Sequence, residues 1–303
     1  LVRVFVTSIF LWFISYWRPK LLFSFTRLKK MFSFSFWILL SSLVQTFFDN
    51  IYILTIGRFF PTAQLGYYTK AKQLQRLPTD NLVKALEGVA FPVLSKFQNE
   101  DSKMVSAIRQ FLKNAYFIVV PLAAILIIIA KPFVMVVLTE KWAPMIPYLQ
   151  LLCIAGIFYP INAINVRSLL AKGKSKINFR LELIKNSLRV INIIIMVNFG
   201  IIYIILGEIL LSIIASVLNT LYLNKFINYS FGAQMKDIAP ILISGGVTIL
   251  LGLSLVALLN NNVLVIFGLM VFSLLIYLIA VFLLDKNQME QFLHLFKTLV
   301  KKK

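Results

Sequence analysis

Eight apolar stretches, each long enough for a membrane crossing or nearly so, run along this chain. A helix needs roughly 20 residues to cross the hydrocarbon core of a bilayer, which is about 30 Å thick. The stretches therefore predict an all-α polytopic membrane protein. They cover residues 1–17, 33–57, 115–138, 146–170, 179–198, 201–224, 238–259 and 263–284.

The composition excludes an ordinary soluble domain. Hydrophobic residues make up 60% of the chain and charged residues only 14%, whereas a soluble domain carries about 25% charged residues. A net charge of +20 on a soluble chain would suggest a nucleic-acid partner. Here the cations flank apolar spans, so we expect membrane lipids as the surroundings and no nucleic acid.

Lys and Arg residues are concentrated in alternate connections between the spans. The connections that share a side with residues 18–32 and with the tail from Lys286 hold 20 of them, and the opposite connections hold two, Arg58 and Lys141. Cytoplasmic loops of membrane proteins are enriched in Lys and Arg. This bias predicts a cytoplasmic carboxyl terminus, with residues 285–303 as a basic amphipathic tail at the membrane surface.

Residues 63–96 are a ninth predicted span, because the alternation of sides requires a crossing there. A charge at the centre of a lipid-facing helix costs roughly 2.5–3.5 kcal/mol or more, and this segment carries several. It must therefore face protein or water, which makes it the predicted wall of an aqueous cavity. Its charged residues between Lys70 and Glu87 are Lys70, Lys72, Arg76, Asp80, Lys84 and Glu87.

Polar residues inside the spans recur at helical spacing and form stripes. One stripe lies on residues 33–57, another on the ninth span, where Pro78 is expected to bend or interrupt the helix, and a third begins at Glu208. Each stripe allows two interpretations, a cavity lining or an ion pair that holds adjacent helices together. The first two stripes are Ser41, Gln45, Asp49 and Tyr52, and Gln73, Arg76, Asp80, Lys84 and Glu87.

The residue types in these stripes limit the chemistry. Lys and Arg in a cavity suit a phosphate group, and a buried carboxylate suits uptake of a proton or a sodium ion. Composition alone does not choose between these ligands. Cys153 is the single cysteine and His294 the single histidine, so we expect neither a metal site nor a cofactor, and we predict a protein that is not an enzyme.

Several short motifs resemble a known family. They are NIY at residues 50–52, IGRFF at 56–60, QLGYYTKA at 64–71, LP at 77–78, FPVLS at 91–95 and FYPINAIN at 158–165. In this order they resemble the Wzx-type flippases of lipopolysaccharide and polysaccharide biosynthesis. These flippases form a branch of the multidrug/oligosaccharidyl-lipid/polysaccharide exporter superfamily, and the resemblance runs from about residue 32 to residue 284.

The resemblance implies a fold of two six-helix lobes, of the MATE-like type, with two extra helices at the end. On that pattern residues 1–31 are the last helix of a truncated first lobe and a cytoplasmic linker. Residues 32–225 are the second lobe, and residues 226–284 are the two extra helices. The chain opens on Leu1 and is expected to lack most of the first lobe, which leaves about nine transmembrane helices.

The function implied by the resemblance is translocation of an undecaprenyl-pyrophosphate-linked oligosaccharide across the bacterial inner membrane by alternating access. It also implies contact with other polysaccharide assembly proteins. On this interpretation Arg76, Lys84 and Lys70 attract the pyrophosphate, and Asp49 pairs with cations or couples an ion. Gln45, Glu87 and Glu208 complete the polar lining. The alternatives are a cation-coupled drug antiporter of the same superfamily and, less compatible with the short outward loops, a membrane-embedded glycosyltransferase.

Overall fold

The computed structural model describes residues 2–15, 23–259, 263–286 and 288–290, without the side chains of residues 2, 3, 30, 78–85 and 87. These ranges fold into ten α-helices with short connections. The helices are α1 (Val2–Ile14), α2 (Phe25–Phe59), α3 (Thr62–Lys96), α4 (Asp101–Phe133), α5 (Ile146–Gly156), α6 (Tyr159–Ala171), α7 (Ser175–Met196), α8 (Ile201–Ile227), α9 (Phe231–Val256) and α10 (Val263–Leu284).

Six helical segments within the described ranges are long and apolar enough to cross a membrane. They are α2, α4 with its π-helical end, the segment that contains α5 and α6, α8, α9 and α10. Helices α3 and α7 have 35 and 22 residues, but they are more polar than these six. The all-α, multi-pass architecture is therefore confirmed, and the number of nine spans stays a prediction.

Prolines shape two of these segments, whereas Pro78 does not interrupt α3. Helix α4 continues through Pro121 and gives way to a π-helical turn, Val134–Leu138, shortly after Pro132. The span predicted at residues 146–170 is divided into α5 and α6, and Pro160 lies in the first turn of α6, where its missing N–H costs nothing. Helix α3 runs unbroken to Lys96, so Pro78 does not interrupt it.

The centre of the molecule is built around α3, α4 and α8. Helix α3 packs against α4, α5 and α6, while α8 packs against α5, α6 and α7. On α4, Met104, Ile108 and Leu112 are fully buried at intervals of four residues, so one face of the helix enters the core. Helix α2 packs mainly along α7 and exposes large apolar side chains elsewhere, as a lipid-facing helix does.

Helices α9 and α10 form a pair that packs on α4. Glycines allow the close approach of α9, because a Cβ on Gly245 would lie 2.2 Å from Val120 Cγ1 and one on Gly252 would lie 2.4 Å from Ile128 Cδ1. The Tyr277 hydroxyl of α10 donates to the carbonyl oxygen of Phe117 at 3.1 Å. The pair is therefore seated on one helix of the central bundle.

Ion pairs fasten this helix pair at one end of the bundle. Arg109 Nε lies 2.8 Å from Asp237 Oδ2, and Lys113 Nζ lies 2.8 Å from Asp285 Oδ2. The Tyr229 hydroxyl also donates to Asp237, at 2.6 Å. Burial and then the Asp237 carboxylate raise the pKa of Tyr229 above its ordinary value, so the hydroxyl keeps its proton and its hydrogen bond.

The predicted domain boundaries stay predictions. The boundary at residues 225 and 226 lies close to the end of α8 at Ile227 and the start of α9 at Phe231. The predicted amphipathic tail, residues 285–303, lies mostly outside the described residues, which end at Glu290.

Candidate functional site

A group of charged and aromatic side chains lies where α2, α3, α7 and α8 meet, within the predicted membrane region. It contains two cations, two carboxylates and two tyrosines, so its formal charges balance. We call it the charge cluster: Asp49, Tyr52, Tyr68, Lys72, Arg189 and Glu208.

An ion pair between α3 and α8 forms the more buried half of the charge cluster. Lys72 Nζ lies 3.0 Å from Glu208 Oε1, and the two side chains are 20% and 16% exposed. The Tyr68 hydroxyl accepts a hydrogen bond from Lys72 at 2.8 Å and donates one to Glu208 Oε2 at 3.3 Å. The three groups thus close a hydrogen-bonded ring between helices that are far apart in the sequence.

Two tyrosine rings enclose the ammonium group of Lys72. Its Nζ lies 5.2 Å from the centroid of Tyr52 and 5.3 Å from that of Tyr68, within the range of a cation–π contact. The ring centroids are 6.2 Å apart. The Tyr52 hydroxyl is buried near Tyr68 and Glu208, but it makes no hydrogen bond of normal geometry to any described residue. The hydroxyl can therefore donate a hydrogen bond to a further acceptor beside the ion pair.

The second ion pair joins α2 and α7 and is more exposed than the Lys72–Glu208 pair. Arg189 Nη1 lies 3.4 Å from Asp49 Oδ1, and each side chain is 40% exposed. Arg189 also donates to Asn186 Oδ1 at 3.4 Å. The charges of Arg189 and Glu208 lie close enough to interact, so the two pairs form one electrostatic unit.

A glycine explains how α7 and α8 come close enough to bring Arg189 near Glu208. Asn192 Nδ2 donates to the carbonyl oxygen of Ile204 at 3.1 Å. A Cβ on Gly207 would lie only 1.8 Å from Asn192 Oδ1. A larger residue at 207 would therefore displace the Asn192 amide, and Glu208 follows Gly207 directly in the sequence.

The structure brings together some of the predicted site residues. Asp49 and Glu208 both belong to the charge cluster, although the partner that the structure gives Asp49 is Arg189 of α7 rather than a cation of α3. Arg76 is exposed one turn after Lys72, and Lys70 is half-buried on α3. Gln45 is exposed on α2, one turn before Asp49.

Two predicted site residues, Lys84 and Glu87, lie on α3 in the range where side chains are not described. Their roles stay predictions, as do those of Arg76 and Lys70. In the described part of the chain, no three His, Cys, Asp or Glu residues lie close enough together to hold a metal ion.

Sequence reasoning missed Lys72 as a site residue, although it counted Lys72 among the charges of the ninth span. A signal was present, because Tyr68, Lys72 and Arg76 recur at intervals of four and share one face of α3. The pairing with Glu208 carries no local signal, because 136 residues separate the two. Arg189 was not among the predicted site residues either.

The two cations of the charge cluster can bind an anion other than their present carboxylate partners. Both cations are now neutralised by carboxylates of other helices. A charge-assisted contact of this kind suits phosphate oxygens equally well, since Lys and Arg donate to either group. The charge cluster therefore has the chemistry to bind a phosphate group in exchange for its carboxylates.

Comparison with protein families shows that the chain is similar to polysaccharide biosynthesis proteins. A family described as "Polysaccharide biosynthesis protein" matches residues 1–147. The teichuronic acid biosynthesis protein TuaB of Bacillus subtilis (strain 168) is 32% identical over 163 residues, which are 54% of this chain and 34% of that protein.

Two further relatives carry similar names. The lipopolysaccharide biosynthesis protein WzxC of Escherichia coli (strain K12) is 28% identical over 67% of this chain and 42% of its own length. The succinoglycan biosynthesis transport protein ExoT of Rhizobium meliloti (strain 1021) is 23% identical over 54% of this chain and 34% of its own length. The chain thus spans well under half the length of these relatives.

A solved structure shares the fold. The lipid II flippase MurJ in an inward closed conformation superposes with a TM-score of 0.69 at 18% identity, over 88% of this chain and 57% of that one. The resemblance found in the sequence is confirmed by these matches: the chain is similar to the Wzx-type polysaccharide biosynthesis proteins and has the fold of a lipid flippase.

Proposed function

We propose that this chain forms part of a carrier that moves an undecaprenyl-pyrophosphate-linked oligosaccharide from the inner to the outer leaflet of the bacterial inner membrane. The observation that carries the proposal is the charge cluster, in which Lys72 and Arg189 are held between four helices in the predicted membrane region. Intramembrane charges are costly, and they mark substrate and ion pathways in transporters.

The names of the relatives support the same substrate class. They refer to teichuronic acid, lipopolysaccharide and succinoglycan, and the protein of similar fold acts on lipid II. A lipid-linked oligosaccharide has an anionic head for a polar cavity and a hydrocarbon tail for the bilayer, which suits helices open sideways to lipid. We also propose that residues 32–225 form the second lobe, with residues 226–284 as an added helix pair.

Within this proposal Arg76 and Lys84 of α3 attract the pyrophosphate, together with Lys70. Arg76 is exposed one turn from Lys72, so a head group that reaches Arg76 also approaches the charge cluster. The protein does no bond-breaking chemistry in this mechanism. It offers cations to the head group and changes the side of the membrane to which they are open.

The test uses the native gene in its own bacterium. Deletion is expected to remove the surface polysaccharide and to accumulate its lipid-linked precursor, and the native gene restores both. We expect the Arg76→Ala, Lys84→Ala double variant to restore less than about a tenth of the surface polysaccharide at normal protein level, because charge-assisted contacts to phosphate are lost. Lys131→Ala, which removes an exposed cation at the end of α4, serves as the control and is expected to restore it fully.

Full restoration by the double variant would remove Arg76 and Lys84 from the mechanism. Unchanged surface polysaccharide in the deletion strain would overturn the proposed function itself. If the deletion strain instead becomes sensitive to small cationic drugs, the carrier is the drug antiporter that the superfamily also contains.

A further inference from the structure

We propose that Glu208 is an internal placeholder for the phosphate of the substrate. It neutralises Lys72 in the state described here, releases Lys72 to an incoming pyrophosphate group, and then takes up a proton from water. This inference rests on the proposed function, because it assigns an exchange between two anions to the same site.

The first support is the surplus of donors around Lys72. A carboxylate offers two oxygens, and those of Glu208 are used by Lys72 and Tyr68. Tyr52 is 7% exposed, and its hydroxyl lies beside the pair without a hydrogen bond of normal geometry to any described residue. Buried hydroxyl groups are nearly always paired. A phosphate group, with more acceptor oxygens than a carboxylate, would employ this donor as well as Lys72 and Tyr68.

The second support is a path of increasing burial for an anion. Arg76 is exposed on α3, Arg189 is 40% exposed, and Lys72 is 20% exposed. Because Arg76 follows Lys72 by four residues, the two lie on one face of α3. An anionic head group that first meets Arg76 thus lies about one helical turn from Lys72, the most enclosed cation of the three.

The third support is the fate of Glu208 after the exchange. The groups that face it are Lys72 and Tyr68 from α3, Tyr52 from α2 and Arg189 from α7, and Arg189 is already paired with Asp49. Once Lys72 binds a phosphate, the Glu208 carboxylate lies beside a second anion in an apolar setting. Both effects favour its neutral form. A proton from the open side of the cavity therefore completes the step.

The exchange would also remove one contact between α3 and α8. In this state the Lys72–Glu208 contact ties α3 to α8. Substrate binding removes that tie and leaves both side chains neutralised by other partners. A ligand shifts a conformational equilibrium only through contacts that differ between the two states. This exchange supplies such a difference, so head-group binding and helix movement become linked.

The experiment measures binding of inorganic pyrophosphate to the full protein, expressed from the native gene and held in lipid nanodiscs. Isothermal titration calorimetry in buffers of different ionisation enthalpy gives the protons taken up. We expect uptake of about one proton per pyrophosphate bound. Glu208→Gln is expected to bind pyrophosphate at least about fivefold more tightly and to lose the proton uptake, because the competing charge is gone.

Two further variants test the donors. Lys72→Met is expected to weaken pyrophosphate binding at least about tenfold, since it removes the cation itself. Tyr52→Phe is expected to weaken binding by about threefold to tenfold, the range for one hydrogen bond, while proton uptake remains. Tyr52→Phe keeps the inference testable if either charge variant fails to fold, because it leaves the ion pair in place.

A second ion pair provides a matched control. Lys185 and Glu182 are 14% and 16% exposed, close to the values for Lys72 and Glu208, but both lie on α7. Lys185→Met and Glu182→Gln are expected to leave pyrophosphate affinity and proton uptake unchanged. Absence of pyrophosphate binding by the native protein, unchanged proton uptake in Glu208→Gln, or unchanged affinity in Tyr52→Phe would each overturn the placeholder.

Failure of the placeholder and failure of the proposed function give different results. If deletion of the gene leaves the surface polysaccharide intact while pyrophosphate still binds with proton uptake, the function is wrong and the exchange stands. If deletion removes the polysaccharide but Lys72→Met and Glu208→Gln restore it fully, the exchange is wrong and the function stands.

Discussion

Asn165 connects three helices in the buried interior. It lies on α6 and is fully buried, and its Nδ2 donates to Thr220 Oγ1 of α8 at 2.8 Å and to Gln234 Oε1 of α9 at 3.0 Å. Gln234 Nε2 donates back to Asn165 Oδ1 at 3.3 Å. In a bundle whose helices are held largely by apolar contacts, such a reciprocal amide pair fixes the register of α9 against α6.

Replacing Asn165 by Leu is expected to destabilise the protein by about 1–3 kcal/mol, because the Gln234 amide then stays buried without its partner. Gln234→Leu should cost a similar amount for the reciprocal reason. The double variant is expected to cost clearly less than the sum of the two, since neither side then holds an unpaired amide. Denaturation by SDS in mixed micelles measures the free energy of unfolding, and strictly additive values would show that the pair has no joint effect.

The charge cluster shows where single-residue reasoning succeeded and where it stopped. The spacing of Gln45, Asp49 and Tyr52 placed a polar stripe on α2, and the structure pairs Asp49 with another helix. The partner itself, Arg189, was not predicted, because helical periodicity says which face a residue shares but not which helix will cover that face. For the same reason the sequence did not show that Lys72 pairs with Glu208, because this pairing depends on α8 lying beside α3.

At the scale of helices, two neighbouring glycines on α9 give opposite expectations. A Cβ on Gly245 would lie 2.2 Å from Val120 Cγ1, whereas one on Gly246 would meet nothing within 4 Å. Val120 is 2% exposed, so it has little room to move. The contact between α9 and α4 therefore requires the absence of a side chain at residue 245, whereas residue 246 has room for one.

Gly245→Ala is therefore expected to lower the free energy of unfolding by about 1–3 kcal/mol, since the added methyl group overpacks the contact between α4 and α9. Gly246→Ala is expected to leave stability unchanged or to raise it by up to about 1 kcal/mol through better helix propensity. The intrinsic fluorescence of the tryptophans during thermal unfolding in detergent compares the two variants. Equal midpoints would contradict the close approach of α4 and α9.

Helix positions were largely predictable from the sequence, because apolar runs of sufficient length have few other structures open to them in a membrane. Helix ends were less predictable. The apolar run at residues 146–170 gives no hydropathy signal for the break between α5 and α6, which lies at Ile157 and Phe158. Helix α3 was expected to be bent or interrupted at Pro78, and it is not interrupted; helices packed in membrane bundles tolerate proline because neighbouring groups can satisfy the freed carbonyl.

At the scale of the whole molecule, charge is distributed in two distinct ways. Most cations lie in the connections on one side, where water and lipid head groups solvate them. The charge cluster lies between helices, where each cation has a carboxylate partner. The predicted topology depends on whether α3 crosses the membrane, because the alternation of sides requires a crossing there.

Cysteine labelling tests that crossing directly, because Cys153 is the single cysteine of the chain and is buried. In a Cys153→Ser background, single cysteines are introduced at four exposed positions, Arg58, Lys103, Lys141 and Lys225. A membrane-impermeant maleimide is expected to label the cysteines at 58 and 141 in intact spheroplasts, and those at 103 and 225 only after permeabilisation, since the charge bias places the latter in the cytoplasm. Labelling of 58 and 103 from the same side would mean that α3 does not cross, and the charges of α3 would then need no aqueous cavity to explain them.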